Sequence, residues 1–462
     1  MKSPLLSIAA LLACAGLLTL TPTTAHARAD TPPAAQANAH ADAKPLDVSD
    51  LVAKIRAASG VPALGVAVVR NGQLWAIGAD GNRTSDPANT VPVTIDDQWH
   101  IGSCTKAFTA TLCAILVERG TLRWDMTVAE ALPELVKSGT MNKAWHTATL
   151  WQLCSNRAGA PAGLQAAGLW GNLWKSWKDG DSPRTSRAML AAGMLARPPA
   201  STPGTKDTYS NAGFALAGHI AETVTNIDYE ILLAREIFEP LGMTHTGFGP
   251  PGIPPAAKPG DTDAPTSPLQ PWGHRRKAGA GNAKPTYTPV KPGYGADNPP
   301  AIAPAGTIHS TLADWSRFIA IHAMGEQRGW TDADGKVRLS AASFKKLHSP
   351  PEDDLAKSAY GFGWVTTKRP WGKGELPTDT GRVITHNGSN TMWYSVAWVA
   401  PETGYAVIAM SNAAGPESSE ACDDACAAMT KLSTAPRAGP DQKTGPQPDS
   451  NSEPKPAPQP AK

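Results

Sequence analysis

A serine and a lysine three positions apart, Ser103 and Lys106, are the residues of this chain best suited to covalent chemistry. A serine hydroxyl is a weak nucleophile at its ordinary pKa and needs a neighbouring base. Residues at positions i and i+3 lie on one face of a helix, so the amine can reach the hydroxyl. The amine is a base only where burial and its neighbours lower its pKa. Because Ser103 follows Gly102 and opens an apolar helix over Ala107 to Val117, we predict that it is the nucleophile.

Two further motifs, Tyr209–Asn211 (YSN) and His386–Gly388 (HNG), carry residues that would complete such a site. The Tyr209 hydroxyl can relay a proton to a leaving group, and the Asn211 side chain can hold a substrate amide. The third motif is typical of a strand edge, where Gly388 has no side chain and lets a substrate backbone approach. The three motifs together predict a serine enzyme that forms an acyl intermediate and needs neither a metal nor a cofactor.

The order S-x-x-K, Y-x-N and then a basic residue followed by x-Gly resembles the penicillin-recognising serine hydrolases. The Y-S-N triplet is similar to the branch around the class C β-lactamases, which also contains D-alanyl-D-alanine carboxypeptidases, D-aminopeptidases and esterases. The resemblance extends over residues 48–432 and includes four longer stretches: Trp99 to Leu122, Pro304 to Thr311, Tyr360 to Trp364 and His386 to Asn412. It implies that the backbone N–H groups of Ser103 and Ser389 hold the negative oxygen of the intermediate, and that Asn211 and His386 orient the substrate.

The third motif departs from the family's commonest pattern, which is Lys-Thr-Gly. A literal Lys443-Thr444-Gly445 occurs only in a proline-rich tail that is unsuited to a sheet strand. Histidine titrates near neutral pH, so His386 would act either through a charge or as a neutral hydrogen-bonding ring. Its substitution for lysine argues against strong β-lactam turnover and leaves ester and D-amino-acid peptide substrates open.

A second S-x-x-K motif, Ser343 with Lys346, lies in a lysine-rich amphipathic stretch with no glycine before the serine. We interpret this stretch as a surface helix, and Ser343 as a serine without a catalytic role.

The sequence predicts four parts. Residues 1–27 have the apolar run and the Ala25-His26-Ala27 cleavage site of a signal peptide, which implies a secreted or periplasmic protein. Leu11 to Cys14 resembles a lipoprotein cleavage box, but the apolar run continues past Cys14 to Leu20, which favours the signal peptide. Residues 28–47 are predicted to be a disordered linker, residues 48–432 the catalytic domain, and residues 433–462 a disordered tail. The Pro- and Gly-rich residues 249–300 are interpreted as an insertion that either borders the cleft or is disordered.

Composition limits the partners of the chain. The formal net charge is +2, and Lys and Arg do not cluster in the way that nucleic-acid binding requires. No stretch after the signal peptide is apolar enough to span a bilayer. We therefore expect a small-molecule or peptide substrate, no nucleic-acid partner and a monomer.

Five cysteines remain after the signal peptide, an odd number whose spacing suggests neither a disulfide scaffold nor zinc. Cys104 and Cys113 are predicted to pack in the nucleophile helix. Cys422 and Cys426 are one helical turn apart, and a strained local disulfide there is the less favoured alternative.

The fold class follows from strands at both ends of the domain with helices between them. We predict an α+β fold with three α/β/α layers, an antiparallel sheet flanked by helices, and an all-helical subdomain. This is also the β-lactamase/transpeptidase-like fold that the resemblance implies. The alternative function is a protein of the same fold that binds penicillin or peptidoglycan peptides without turnover. An α/β-hydrolase is disfavoured because the chain has no G-x-S-x-G nucleophile motif.

Overall fold

The computed structural model describes residues 44–165, 168–252, 267–281, 283–293, 295–351 and 359–434. The strands are β1 (Leu46–Asp47), β2 (Ala63–Arg70), β3 (Gln73–Gly81), β4 (Gln98–His100), β5 (Gly247–Phe248), β6 (Gly273–Lys277), β7 (Thr286–Val290), β8 (Ile308–Thr311), β9 (Trp330–Thr331), β10 (Val337–Leu339), β11 (Val365–Lys368), β12 (Arg382–Ser389), β13 (Tyr394–Ala400) and β14 (Tyr405–Ser411). The α-helices are α1 (Ser49–Ser59), α2 (Thr105–Glu118), α3 (Val128–Ala131), α4 (Pro133–Lys137), α5 (Leu150–Cys154), α6 (Leu169–Lys178), α7 (Pro183–Leu195), α8 (Asn211–Thr225), α9 (Tyr229–Leu233), α10 (Ala303–Gly306), α11 (Leu312–Arg328), α12 (Ala341–His348) and α13 (Pro416–Thr434).

The main sheet joins the two ends of the domain. Its strand order is β1-β3-β2-β14-β13-β12-β11, and the neighbours run antiparallel except for the short β1, which pairs parallel with β3. The turn between β2 and β3 contains Asn71 and Gly72, with φ of 50° and 78°. Two positive φ values in a two-residue loop suit the right-handed twist of a hairpin, which is why an Asn-Gly pair favours this turn.

Both faces of the sheet are covered by helices. Residues 63–69 of β2 are all buried, because alternate side chains pack on opposite faces. Val66 and Val68 join a core with Val52 of α1 and Met429 of α13, whereas Ala67 lies in the other core, with Phe318 of α11 and residues of α2. Helices α3 to α7 follow α2 in the chain and separate the first two motifs, and α8 begins within the second motif. The α+β prediction, with a mostly antiparallel sheet and flanking helices, is confirmed.

Several boundaries differ from the sequence predictions. The insertion at 249–300 is structured where it is described: β6 and β7 form a hairpin, and Asp297 is buried. Helix α13 continues to Thr434, whose hydroxyl donates to the Thr430 carbonyl oxygen at 3.0 Å, so the tail begins later than residue 433. The predicted signal peptide, the linker up to residue 43 and the tail from residue 435 lie outside the described residues and stay predictions.

The five cysteines of the described residues are all buried free thiols, so the alternative of a Cys422–Cys426 disulfide is not observed. In the part of the chain that the structure covers, the helices are too short or too polar to cross a membrane.

Candidate active site

The first motif forms the start of helix α2. Residues Gly102–Cys104 make one 3-10 turn that continues directly into α2. This geometry places the Lys106 Nζ 3.1 Å from the Ser103 Oγ, as the i, i+3 spacing predicts. By contrast, the hydroxyl of Ser343 on α12 donates to Glu118 Oε1 at 2.6 Å. The second S-x-x-K serine therefore has a carboxylate partner on a surface helix.

Lys106 is a buried cation with only neutral hydrogen-bond partners. Its side chain is fully buried, and its Nζ donates to Asn211 Oδ1 and to the Ala305 carbonyl oxygen, both at 2.7 Å. Burial disfavours the charged amine and lowers the pKa of Lys106 from 10.5 to about 7. In the neutral amine, these two oxygens accept the two N–H groups, and the lone pair is left for the hydroxyl of Ser103. Lys106 therefore has the arrangement of a general base.

The second motif is fixed by the start of helix α8. Ser210 is the N-cap residue, and its hydroxyl accepts a hydrogen bond from the Gly213 N–H at 3.1 Å. Tyr209 and Asn211 are the residues before and after this N-cap, and both lie beside Lys106. The ring of Tyr209 lies 4.6 Å from the Lys106 Nζ, and the Ser103 side chain is near enough to its hydroxyl to act on the pKa of the phenol. Although 43% of the Tyr209 surface is exposed, desolvation around the hydroxyl raises its pKa, so this phenol is neutral at pH 7.

Asn156, which sequence reasoning missed, holds the segment that carries Tyr209. It follows α5 in the left-handed conformation, with φ of 61°. Its carbonyl oxygen accepts from the Thr208 N–H at 2.8 Å, and its side-chain Oδ1 accepts from the Ser210 N–H at 3.1 Å. The backbone N–H groups on both sides of Tyr209 are thus hydrogen-bonded to Asn156. A non-glycine residue with positive φ is uncommon, but the sequence gives no sign of it here.

The third motif lies on the part of β12 that extends beyond its neighbour β11. Pairing with β11 ends at Thr385, whereas pairing with β13 continues to Ser389. Residues 386–389 therefore present a free strand edge next to the 3-10 turn. A Cβ on Gly388 would lie 2.7 Å from the Ser103 N, and a Cβ on Gly102 would lie 2.4 Å from the Ser389 N. Two glycines therefore bring the backbone N–H groups of Ser103 and Ser389 close together.

His386 is a neutral ring at pH 7. Burial, aided by the nearby Lys106, lowers its pKa from 6.5 to about 3. Its Nδ1 lies 2.5 Å from the Asn387 carbonyl oxygen, which can only accept, so the proton is on Nδ1. Its Nε2 then accepts from the Tyr360 hydroxyl at 3.4 Å. Of the two alternatives for this residue, the structure favours the uncharged ring. Tyr360, a further residue that the sequence did not assign, completes an aromatic cluster with Tyr209 and His386.

The side chain of Asn387 does not lie on the same face of β12 as that of His386. Successive side chains of a strand alternate between its faces, and the Asn387 Nδ2 donates to the Tyr394 hydroxyl on β13 at 3.3 Å. The residue in the place of the family's threonine thus bonds to the neighbouring strand.

The structure also contains a cavity of about 1030 Å³ at the opposite end of the sheet, next to the turns after β2 and β13. Some of its charged groups have partners within the protein: Glu326 pairs with Arg382, and Glu402 accepts from the backbone N–H groups of Thr380 and Gly381. None of the motif residues lines it, so we place the site at Ser103. Within the described ranges, no group of three or more His, Cys, Asp or Glu side chains is arranged to hold a metal ion.

Residues 48–428 match the model of the Beta-lactamase family. The chain belongs to the beta-lactamase family. Among curated relatives, the unguisins hydrolase of Aspergillus violaceofuscus is 26% identical over 372 residues, which are 76% of this chain and 58% of that protein. The chain thus spans less than two thirds of this relative's length.

Two solved structures support the fold. The octameric penicillin-binding protein homologue from Pyrococcus abyssi has a TM-score of 0.59 at 20% identity, over 82% of this chain and 76% of that chain. A D-stereospecific amidohydrolase from a Streptomyces species has a TM-score of 0.56 at 22% identity, over 81% of this chain and 96% of that chain.

Proposed function

We propose that this protein is a serine hydrolase that forms an acyl-enzyme on an ester or amide carbonyl, with Ser103 as nucleophile and Lys106 and Tyr209 as the acid–base pair. The observation that carries the proposal is the buried Lys106 amine, 3.1 Å from the Ser103 Oγ, with a pKa lowered to about 7. A base whose pKa lies near the operating pH is the most effective.

The proposed steps use groups already in contact. As the Ser103 Oγ bonds to the carbonyl carbon, its proton moves to the neutral Lys106 amine. The N–H groups of Ser103 and Ser389 receive the negative oxygen of the tetrahedral intermediate. Tyr209 delivers a proton to the leaving group and regains one from the protonated Lys106, the C–O or C–N bond breaks, and the acyl group stays on Ser103. A water molecule then attacks the acyl carbon and gives up a proton to the neutral Lys106 amine. The bond between the acyl carbon and the Ser103 Oγ breaks, Lys106 returns the proton to the Oγ, and the acid is released.

The neutral His386 supports a preference for esters and amides over β-lactams. A lysine at this place would supply a positive charge for a substrate carboxylate, whereas a ring with a pKa of about 3 is uncharged at neutral pH. The name of the relative, unguisins hydrolase, also supports hydrolysis. We further propose that the enzyme is secreted, on the basis of the signal-peptide pattern in residues 1–27.

The test is a substrate panel: a chromogenic cephalosporin, a short-chain nitrophenyl ester and a D-Ala-D-Ala peptide. We expect hydrolysis of the ester, which has no carboxylate, at a rate well above that of the cephalosporin, and complete loss in Ser103→Ala. Ser343→Ala is the matched control and should keep wild-type rates. A phosphonate probe followed by peptide mass spectrometry should label Ser103. A stable adduct without turnover would identify the non-turnover binding protein instead, and labelling that survives in Ser103→Ala would refute the assignment.

A further inference from the structure

The backbone around the two oxyanion-hole N–H groups is bonded to one buried carboxylate from the insertion. His100 lies at the end of β4, two residues before Gly102, and Asp297 lies in the insertion, almost 200 residues further along the chain. The His100 Nε2 is 2.8 Å from the Asp297 Oδ2, and the two side chains are 0% and 1% exposed. The proposed chemistry above uses neither residue.

The hydrogen bonds on the His100 ring fix where its proton lies. The Gly102 N–H can only donate, and it donates to the His100 Nδ1 at 3.1 Å. The Nδ1 therefore carries a lone pair, and the proton is on Nε2, which donates to Asp297. The residue that precedes Ser103 is thus linked through one imidazole to the carboxylate.

The other oxygen of Asp297 holds the end of β12. Its Oδ1 accepts from the Asn390 Nδ2 at 3.1 Å and from the Asn298 N–H at 2.7 Å. Asn390 directly follows Ser389, and its own Oδ1 accepts from the Met392 N–H at 3.1 Å. This second bond stabilises a turn in which Thr391 has a φ of 76°. The carboxylate is therefore bonded on one side toward Ser103 and on the other side toward Ser389.

We propose that Asp297, acting through His100 and Asn390, is a positioning residue that sets the separation and direction of the two oxyanion-hole N–H groups. An oxyanion hole acts through donors held in advance at the place where charge develops, so small displacements reduce its effect. The insertion is thereby a functional part of the site. This inference rests on the proposed function, because it concerns the N–H groups of the same reaction.

Asparagine is the most informative substitution for Asp297, because it changes the hydrogen bonding and keeps the shape of the side chain. The carboxylate accepts hydrogen bonds at both oxygens, from His100 on one side and from Asn390 and Asn298 on the other. An amide of the same shape places an NH₂ group against a donor in either orientation. Asp297→Asn therefore breaks the hydrogen bonds of one of the two carboxylate oxygens at nearly constant side-chain volume. Asp97→Asn is the matched control, since Asp97 is an equally buried carboxylate whose partners are Arg83 and Thr94.

The measurement uses the full chain and whichever substrate of the panel the wild type hydrolyses fastest. Removing one oxyanion donor costs about 10²–10³ in kcat, and displacing the donors should cost roughly ten- to a hundredfold. We expect Asp297→Asn to lower kcat by that factor with KM within threefold, and to weaken binding of a phenylboronic acid, whose serine adduct is tetrahedral, by a similar factor. Asp97→Asn should lower the Tm and leave both quantities within twofold of wild type.

His100→Asn provides a second variant should Asp297→Asn not fold. Its effect and that of Asp297→Asn should be far from additive in the double variant, because both act through one chain of bonds. Wild-type kcat and boronate affinity in a folded Asp297→Asn or His100→Asn variant would overturn the inference and leave the proposed function standing. A wild-type enzyme that hydrolyses nothing and is not labelled at Ser103 would instead overturn the proposed function.

Discussion

Two buried cations of this molecule, Lys106 and Arg187, have opposite surroundings. Both are fully buried, and both lie over a tyrosine ring, at 4.6 Å from Tyr209 and 5.5 Å from Tyr229. Arg187 on α7 contacts two carboxylates: its Nη2 is 2.7 Å from Glu222 Oε2, and its Nη1 is 2.7 Å from Glu230 Oε1.

The difference lies in the charge of the partners. Burial alone lowers the pKa of Arg187, but its bonds to Glu230 and Glu222 outweigh burial and raise it. Burial likewise raises the pKa of Glu222, and its bonds to His219 and Arg187 bring it down to about 2. Lys106 has only hydroxyl, amide and carbonyl oxygens for partners, so burial dominates. Beside carboxylates, the buried Arg187 keeps its charge and joins helices, whereas beside neutral oxygens the pKa of the buried Lys106 falls to about 7.

The largest effect should come from Lys106→Met. General base catalysis contributes about 10²–10⁴ in rate, so kcat/KM for the best panel substrate should fall by that factor. The Tm should stay unchanged or rise, because methionine removes a buried amine at similar volume. Lys346→Met on α12 is the control and should have wild-type kinetics. A Lys106→Met enzyme that keeps a tenth of wild-type activity would show that the two cations do not differ in the way described.

Arg187→Met should have the opposite effect to Lys106→Met: it should lower the stability and leave the activity unchanged. It leaves Glu222 without its cation in the protein interior, and breaking a buried pair costs about 3–5 kcal/mol of unfolding free energy. Urea unfolding measures this loss, and kcat per folded molecule should stay within twofold of wild type. The double variant Arg187→Met/Glu222→Gln should recover part of the stability. A Tm equal to that of wild type in the single variant would contradict the structural role.

The smallest of the three expected effects is the dependence of kcat/KM on pH. Below pH 7 the Lys106 amine is protonated and cannot accept the serine proton, so kcat/KM should fall about tenfold per pH unit on the acid side. His386, with a pKa of about 3, should add no second limb near pH 6.5. His386→Asn should therefore lower the rate without moving the midpoint. A midpoint that shifts in this variant would mean that the histidine is the titrating group.

The local parts of the site could be predicted from sequence, and the non-local parts could not. The spacing of Ser103 and Lys106 determines their contact, because they are three positions apart at the start of a helix. The lowered pKa of His386 depends on burial by distant segments and on the nearby Lys106, so its ionisation could not be predicted. Asn156 requires a left-handed turn, and Asp297 lies in a stretch whose composition was equally compatible with disorder. The helix predicted over Ala107 to Val117 lies within α2, since the hydrophobic pattern acts locally.

The two facing glycines restrict how this enzyme can evolve. A methyl group on Gly388 would lie 2.1 Å from the Ile101 carbonyl oxygen, and one on Gly102 would lie 2.4 Å from the Ser389 N. The obstacles are backbone atoms on both sides, so no change of a neighbouring side chain makes room for either substitution. Neither glycine can therefore be replaced by another residue, even after stepwise substitution of the side chains around it. New substrate preferences have to arise at positions around the site, while these two glycines stay as they are.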